Sequence, residues 1–293
     1  MHMDKIALVG LGAMGIGMAR NMLKNGLAVT GIDISAERRA LFVEDGGNVA
    51  ESLQDLAGTL DAVFVMVNEA EHMEAALFTN GAASRMRRGS VVVSTSTLPP
   101  SYIASCAARL GELGIGMVDS PVSGGEKGAA GGTLTLMLSG RKSDIEKVRP
   151  ALDAVSKKVF DVGEDPGMGS KMKVLHQHLA STHIALTVEA LGMCRKSGVD
   201  PKLFYEIVTH SAGNSFLFEY FGKFLVDNDF FPYSSINTSE KDLRLVVELA
   251  RELDYPAEIA TKAYEQFLHA KEKGLGKESS IATIQLFPVD WTH

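Results

Sequence analysis

Residues 5–26 read KIALVGLGAMGIGMARNMLKNG, and this stretch decides the fold. Residues 5–9 form an apolar run of the length and composition of a strand buried on both faces, and residues 15–25 have helical spacing. Between them stands Gly10-Leu11-Gly12-Ala13-Met14-Gly15, a GxGxxG pattern in the strand–turn–helix setting that gives it meaning. Gly10 permits a tight turn, Gly12 lets the backbone approach a pyrophosphate, and Gly15 lets the helix pack closely on the strand. The helix start then aims free N–H groups and a positive dipole end at the phosphates. Leu11, Ala13 and Met14 are expected at the cofactor with the three glycines. Asp33, at the end of the second apolar run and 18 residues after Gly15, supplies the matching acid. A carboxylate there accepts both ribose hydroxyls of the adenosine half and repels a 2′-phosphate, so NAD is expected rather than NADP. Arg38 and Arg39 keep NADP as the alternative, and Ser35 is the expected cap of the next helix.

Outward from this stretch the first half repeats the alternation. Residues 28–32, 62–67, 91–94 and 116–119 are further short apolar runs, with helical patterns such as 36–44 and 100–112 between them. That order predicts a parallel sheet with crossover helices. Residues 133–139 and 158–162 add strands, and from Gly167 the strands vanish. Residues 170–197, 201–211, 216–227, 239–253 and 257–273 are helical stretches separated by Gly or Pro. The expected architecture is a mostly parallel α/β domain over residues 1–164, followed by an all-α domain over 165–293. Residues 174–188 carry no formal charge with their histidines neutral, which predicts a helix enclosed on most sides.

Composition excludes several classes. With 45% hydrophobic and 22% charged residues over 293 positions, the chain can bury a sizeable core. Its 29 basic against 36 acidic residues give a net charge of −7, without the basic footprint that nucleic acid requires. Cys106 and Cys194 are far apart and read as small buried hydrophobes, neither a disulfide framework nor a metal set. No run is long and apolar enough to span a membrane. Residues 6–19 are uncharged like a signal-peptide core, but Asp4 stands where positive charge belongs, so a cytoplasmic protein is expected.

Four segments together resemble one family. Residues 10–26 are similar to the opening signature of the β-hydroxyacid dehydrogenases, and residues 119–125 (DSPVSGG) resemble that family's substrate loop. Residues 167–177 (GMGSKMKVLHQ) resemble its catalytic helix, and Lys241-Asp242-Leu243 its C-terminal KDL element. The resemblance implies a Rossmann domain, a helical domain contributing to dimerisation, and oxidation of a hydroxyl on a small carboxylic acid. His176-Gln177, and the run from Thr209 to Ser215, resemble the L-threonate dehydrogenase branch more than the 3-hydroxyisobutyrate enzymes. Where the family has Asn-Asn this chain has His176-Gln177, a departure that favours a more hydroxylated acid.

Site residues follow from this setting. Oxidising an alcohol by hydride transfer requires a base for the hydroxyl proton, and Lys173 is the candidate. It opens the uncharged stretch, so apolar surroundings are expected to lower its pKa toward neutrality. His176 and Gln177 lie three and four residues on, sharing its helix face. Gln177 is expected to position Lys173 or bond the reacting hydroxyl, and His176 a further hydroxyl or the carboxylate. Ser123, Gly124 and Gly125 offer a hydroxyl and adjacent N–H groups as an anion seat. By resemblance Thr97 contacts the cofactor, Lys241 contacts cofactor or substrate, and Asn214 contributes a substrate bond. Val67, at the end of its run, is expected at the cofactor too. No metal is expected: His176 and His178 diverge on a helix, and His183 is two turns from His176. The assembly is expected to be a homodimer or homotetramer. Three alternatives stay open: a 3-hydroxyisobutyrate or tartronate semialdehyde type of reductase, an imine reductase, and a non-catalytic NAD-binding relative.

Overall fold

A computed structural model describes residues 5–291; Asp4 of the signal-peptide argument lies outside them. The chain forms two compact units that divide between Lys173 and Val174. The first contains β1 (Ile6–Val9), α1 (Ala13–Lys24), β2 (Val29–Ile32), α2 (Ala36–Glu44), β3 (Asn48–Ala50), β4 (Ala62–Val65), α3 (Ala70–Glu74), α4 (Ala82–Arg85) and β5 (Val91–Ser94). It continues through α5 (Pro100–Glu112), β6 (Gly116–Asp119), β7 (Val122–Ser123), α6 (Gly125–Gly131), β8 (Leu134–Gly140), α7 (Lys142–Val155) and β9 (Ser156–Asp161). The sheet order is β3-β2-β1-β4-β5-β6-β8-β7, with β9 on β8. The first six strands of that order are parallel, while β8 runs antiparallel to β6 and β7. The direction of the crossovers reverses between β1 and β4, so the crevice there opens at the carboxyl ends of the strands.

The apolar runs lack alternation because both faces of the sheet are covered. Successive residues of a strand point to opposite faces, so Ile6 and Leu8 join one core cluster and Ala7 and Val9 the other. Phe64 and Val93 follow the first pair, and Val63, Val65 and Val92 the second. Helix α1 packs Met18, Ala19 and Met22 on the first face, and α5 packs Ile103, Cys106 and Leu110 on the second. Cys106 is thus a core residue, and Cys194 is buried as well. Helix α2 begins where expected, with Ser35 Oγ accepting from the Arg38 N–H at 3.3 Å.

The second unit is helical. It comprises most of α8 (Met168–Lys196), then α9 (Pro201–Thr209), α10 (Phe216–Val226), α11 (Ile236–Glu252) and α12 (Glu258–Ala270). Helix α11 starts three residues earlier than the pattern predicts, because Ser235 caps it by accepting from the Thr238 N–H at 3.2 Å. The core takes Val174, Ile184, Val188 and Leu191 from one side of α8. Residues 174–188 depart from the expectation of a helix enclosed on most sides. Leu175, Leu179 and Leu186 on the opposite side are 50%, 62% and 59% exposed, so the uncharged stretch is enclosed on one face only.

Candidate active site

The glycine loop is built from close backbone contacts. Gly10 has φ +96°, and a Cβ there would lie 2.1 Å from the Met66 carbonyl oxygen. A Cβ at Gly15 would lie 1.8 Å from the Gly10 oxygen, so α1 can sit against the end of β1 only with glycine. Gly12 is the N-cap of α1, and a Cβ on it would meet nothing within 4 Å. No side chain caps α1 and no acid lies in its first turn, leaving the backbone donors of Ala13 and Met14 to an outside anion. Asp33 spans the loop: Oδ2 accepts from the Leu11 N–H at 2.7 Å and Oδ1 from the Ser35 N–H at 2.8 Å. Its remaining lone pairs can accept ribose hydroxyls. Val67 donates its N–H to Ser96 Oγ at 2.8 Å, and Thr97 follows one residue on, partly buried, in the loop that leaves β5. An open helix start beside a glycine cradle and a fixed carboxylate fits a dinucleotide.

The substrate-loop candidates stand at the carboxyl side of the same sheet. Gly124 has φ +137° and Gly125 φ +61°, so two successive residues hold conformations that favour glycine, next to the partly buried Ser123. Helix α6 follows directly and is bound to α1. A Cβ at Gly17 would lie 2.8 Å from the Ala129 carbonyl carbon, and buried Asn21 donates Nδ2 to the oxygens of Ala129 (2.7 Å) and Ala130 (3.1 Å). The first turn of α8 is tied to β6 in the same way. Asp119 Oδ2 accepts from the N–H groups of Gly167 (3.0 Å) and Ser170 (2.7 Å), and Oδ1 from Ser170 Oγ (2.8 Å). Burial raises the Asp119 pKa to about 6, outweighing the bonds that lower it. Lys173, one turn after Ser170, is only 6% exposed.

Within the second unit four polar side chains form a chain. Gln177 Oε1 meets His176 Nδ1 at 2.8 Å, and Gln177 Nε2 donates to Asp242 Oδ2. Asp242 Oδ1 lies 2.9 Å from Lys241 Nζ, both side chains being largely buried on α11. His176, Gln177 and Lys241 are therefore brought together, with Asp242 as the link. Asn214 is engaged elsewhere, in the turn between α9 and α10. It donates Nδ2 to the Thr209 carbonyl at 3.1 Å and to Glu219 Oε1 at 2.5 Å, and its Oδ1 is buried with no hydrogen-bond partner. The sequence singles out neither Asp119 nor Asp242 as an individual residue. Their signals were the first letter of DSPVSGG and the middle letter of KDL.

Known proteins are similar to this chain over nearly its full length. Residues 5–163 match the family model described as the NAD binding domain of 6-phosphogluconate dehydrogenase. Residues 167–287 match the model described as NAD-binding of NADP-dependent 3-hydroxyisobutyrate dehydrogenase. The chain is 38% identical to an L-threonate dehydrogenase of Cupriavidus necator over 284 residues, covering 97% of this chain and 96% of that protein. It is 34% identical to a 2-(hydroxymethyl)glutarate dehydrogenase of Eubacterium barkeri, covering 97% and 94%. Among solved structures, a 3-hydroxyisobutyrate dehydrogenase from Salmonella typhimurium superposes with a TM-score of 0.91 at 38% identity, covering 97% of this chain and all of that one.

Proposed function

The chain belongs to the β-hydroxyacid dehydrogenase family and is a nicotinamide-dinucleotide-dependent oxidoreductase of hydroxy acids; from that premise we propose that it oxidises L-threonate at C2 to the 2-oxo acid, with NAD and with Lys173 as acid/base. The observation that carries the lysine role is burial: a lysine 6% exposed, one turn into the helix that starts from the end of β6, is costly to keep without a task. The bound dinucleotide supplies a ring that accepts a hydride from C2. The Lys173 amine takes the hydroxyl proton as the carbonyl forms, and returns it in the reverse direction. Ser123 and the N–H groups of Gly124 and Gly125 seat the carboxylate, as adjacent backbone donors do for small anions. Gln177, oriented by Asp242, bonds the reacting hydroxyl, and His176 takes another. Asn214 adds a substrate bond through its unpartnered Oδ1. Gly10 to Gly15, Asp33, Val67, Thr97 and Lys241 hold the cofactor. In this reading residues 1–164 form the NAD-binding domain and residues 165–293 the substrate and dimerisation domain.

The identity to L-threonate dehydrogenases and the polar chain through His176 and Gln177 support a hydroxylated substrate. The similarity to a structure named 3-hydroxyisobutyrate dehydrogenase supports the second reading, a less hydroxylated acid. NAD reduction measured across four-carbon sugar acids, 3-hydroxyisobutyrate, glycerate and 4-hydroxybutyrate separates the two. The expected result is the highest kcat/KM for L-threonate, and preference for 3-hydroxyisobutyrate would overturn it.

The exposed side of α8 supports self-association, as a homodimer or homotetramer. Met172, Leu175, Leu179, Leu186 and Met193 line that side at coiled-coil spacing, a seam that water does not stabilise. Leu179→Lys combined with Leu186→Lys is expected to convert the oligomer into a monomer in light scattering after size exclusion. A monomeric unsubstituted chain would remove the claim. No helix among the described residues is long and apolar enough to cross a membrane. Two separate buried thiols suit a cytoplasmic setting.

A further inference from the structure

We propose that Asp119 is the positioning residue for Lys173: its buried carboxylate caps the first turn of α8 from a different strand and so fixes where the lysine emerges. The inference rests on the acid/base reading of Lys173 and adds the device that holds it.

Helix α8 cannot cap itself. Its starting residue Gly167 has φ +99°, and a Cβ there would lie 2.8 Å from the Pro100 oxygen, so no Ser, Thr or Asp fits that position. The orphan N–H groups of the first turn need acceptors from elsewhere. Asp119, 51 residues before Ser170 in sequence, takes the Gly167 and Ser170 N–H groups on one oxygen and the Ser170 hydroxyl on the other. Ser139 Oγ, 3.4 Å from the same carboxylate, accepts the Gly169 N–H at 3.0 Å. The contact is tight in the backbone as well: a Cβ at Gly169 would lie 2.4 Å from the Met137 oxygen and 2.9 Å from the Asp119 oxygen. Helix α8 thus starts at a fixed height and rotation against β6 and β8.

Ser170 and Lys173 are three residues apart and share one side of the helix, so a shift of the cap moves the lysine with it. Asp119 also ends β6, from which Ser120 and Pro121 lead into Ser123, Gly124 and Gly125. The carboxylate's bonds run to the start of the lysine's helix, whereas the loop leaves β6 through the backbone. Both of its oxygens act as acceptors here. An amide in its place would turn its NH₂ toward either the two N–H groups or the Ser170 hydroxyl.

The test uses the full chain with NAD and its preferred hydroxy acid. Asp119→Asn is expected to lower kcat by about 10–10²-fold, the scale of a charge-assisted hydrogen bond, with KM and the NAD dissociation constant from fluorescence within about twofold. Ser170→Ala, which keeps the carboxylate, is expected to give a smaller loss in the same direction, and carries the test should Asp119→Asn fail to fold. The decisive comparison is a double-mutant cycle. If Asp119 acts through the lysine, Asp119→Asn in the Lys173→Ala background slows turnover no further than about twofold, whereas a general structural role gives additive losses. Additive losses, or unchanged kcat in both Asp119→Asn and Ser170→Ala, would overturn the proposal. Lys173→Ala retaining turnover would instead sink the acid/base reading beneath it, and the proposal with it.

Discussion

Lys173→Ala is expected to lower kcat by about 10²–10⁴-fold, the usual contribution of a positioned acid/base group, while NAD affinity stays within about twofold. The split matters because a residue that only supported the fold would lose cofactor binding and turnover together. Lys173→Arg is expected to fail as a rescue. A guanidinium preserves charge and length but does not release its proton in a protein, so it can neither take nor return one. Steady-state rates with the preferred hydroxy acid, alongside NAD titration by fluorescence, measure both quantities. Turnover of the alanine variant within twofold of the unsubstituted enzyme would remove the role. The burial of this lysine, 6% exposed, sets it apart from a solvated surface lysine, whose replacement leaves turnover unchanged.

What the sequence displayed, and what it hid, divides along the range of the interactions. The sheet was readable because each strand announces its burial locally: Val91, Val92 and Val93 leave no polar side for water whichever face each residue takes. The glycine loop was readable because its contacts are made within one strand–turn–helix unit, as with Gly15 against Gly10. Asp119 and Asp242 were not. Their partners lie 48–51 and 65 residues away, and no periodicity records which distant N–H or amide a carboxylate will meet. The start of α11 was displaced for a smaller reason: the polar run after Ser235 carries little apolar pattern, and a single capping hydroxyl sets the boundary. Helix α8 misled in another way. An uncharged helix reads as enclosed, but apolar composition does not say which body covers which face, and Leu175, Leu179 and Leu186 are left open by this chain alone.

With NAD and NADP compared at equal concentration, kcat/KM is expected to favour NAD by about 10²-fold, and Asp33→Ala to lower the NAD value by about 10–10²-fold, the scale of charged hydrogen bonds lost. The carboxylate is fixed between the Leu11 and Ser35 N–H groups, so its charge cannot swing aside for a 2′-phosphate. The nearby arginines do not reverse this. Arg39 spends Nη1 on the Asp33 carbonyl oxygen at 2.6 Å, holding the backbone of the same residue, and Arg38 is exposed on α2. Because Asp33 anchors the loop and is proposed to bond the ribose as well, the two cofactors must be followed together. Loss of the anchor alone would weaken NAD and NADP equally. Loss of the charge as well should weaken NAD while NADP holds or improves, narrowing the ratio toward unity. A parent enzyme that prefers NADP would overturn the role given to Asp33, and equal losses for both cofactors would reduce it to a support for the glycine loop.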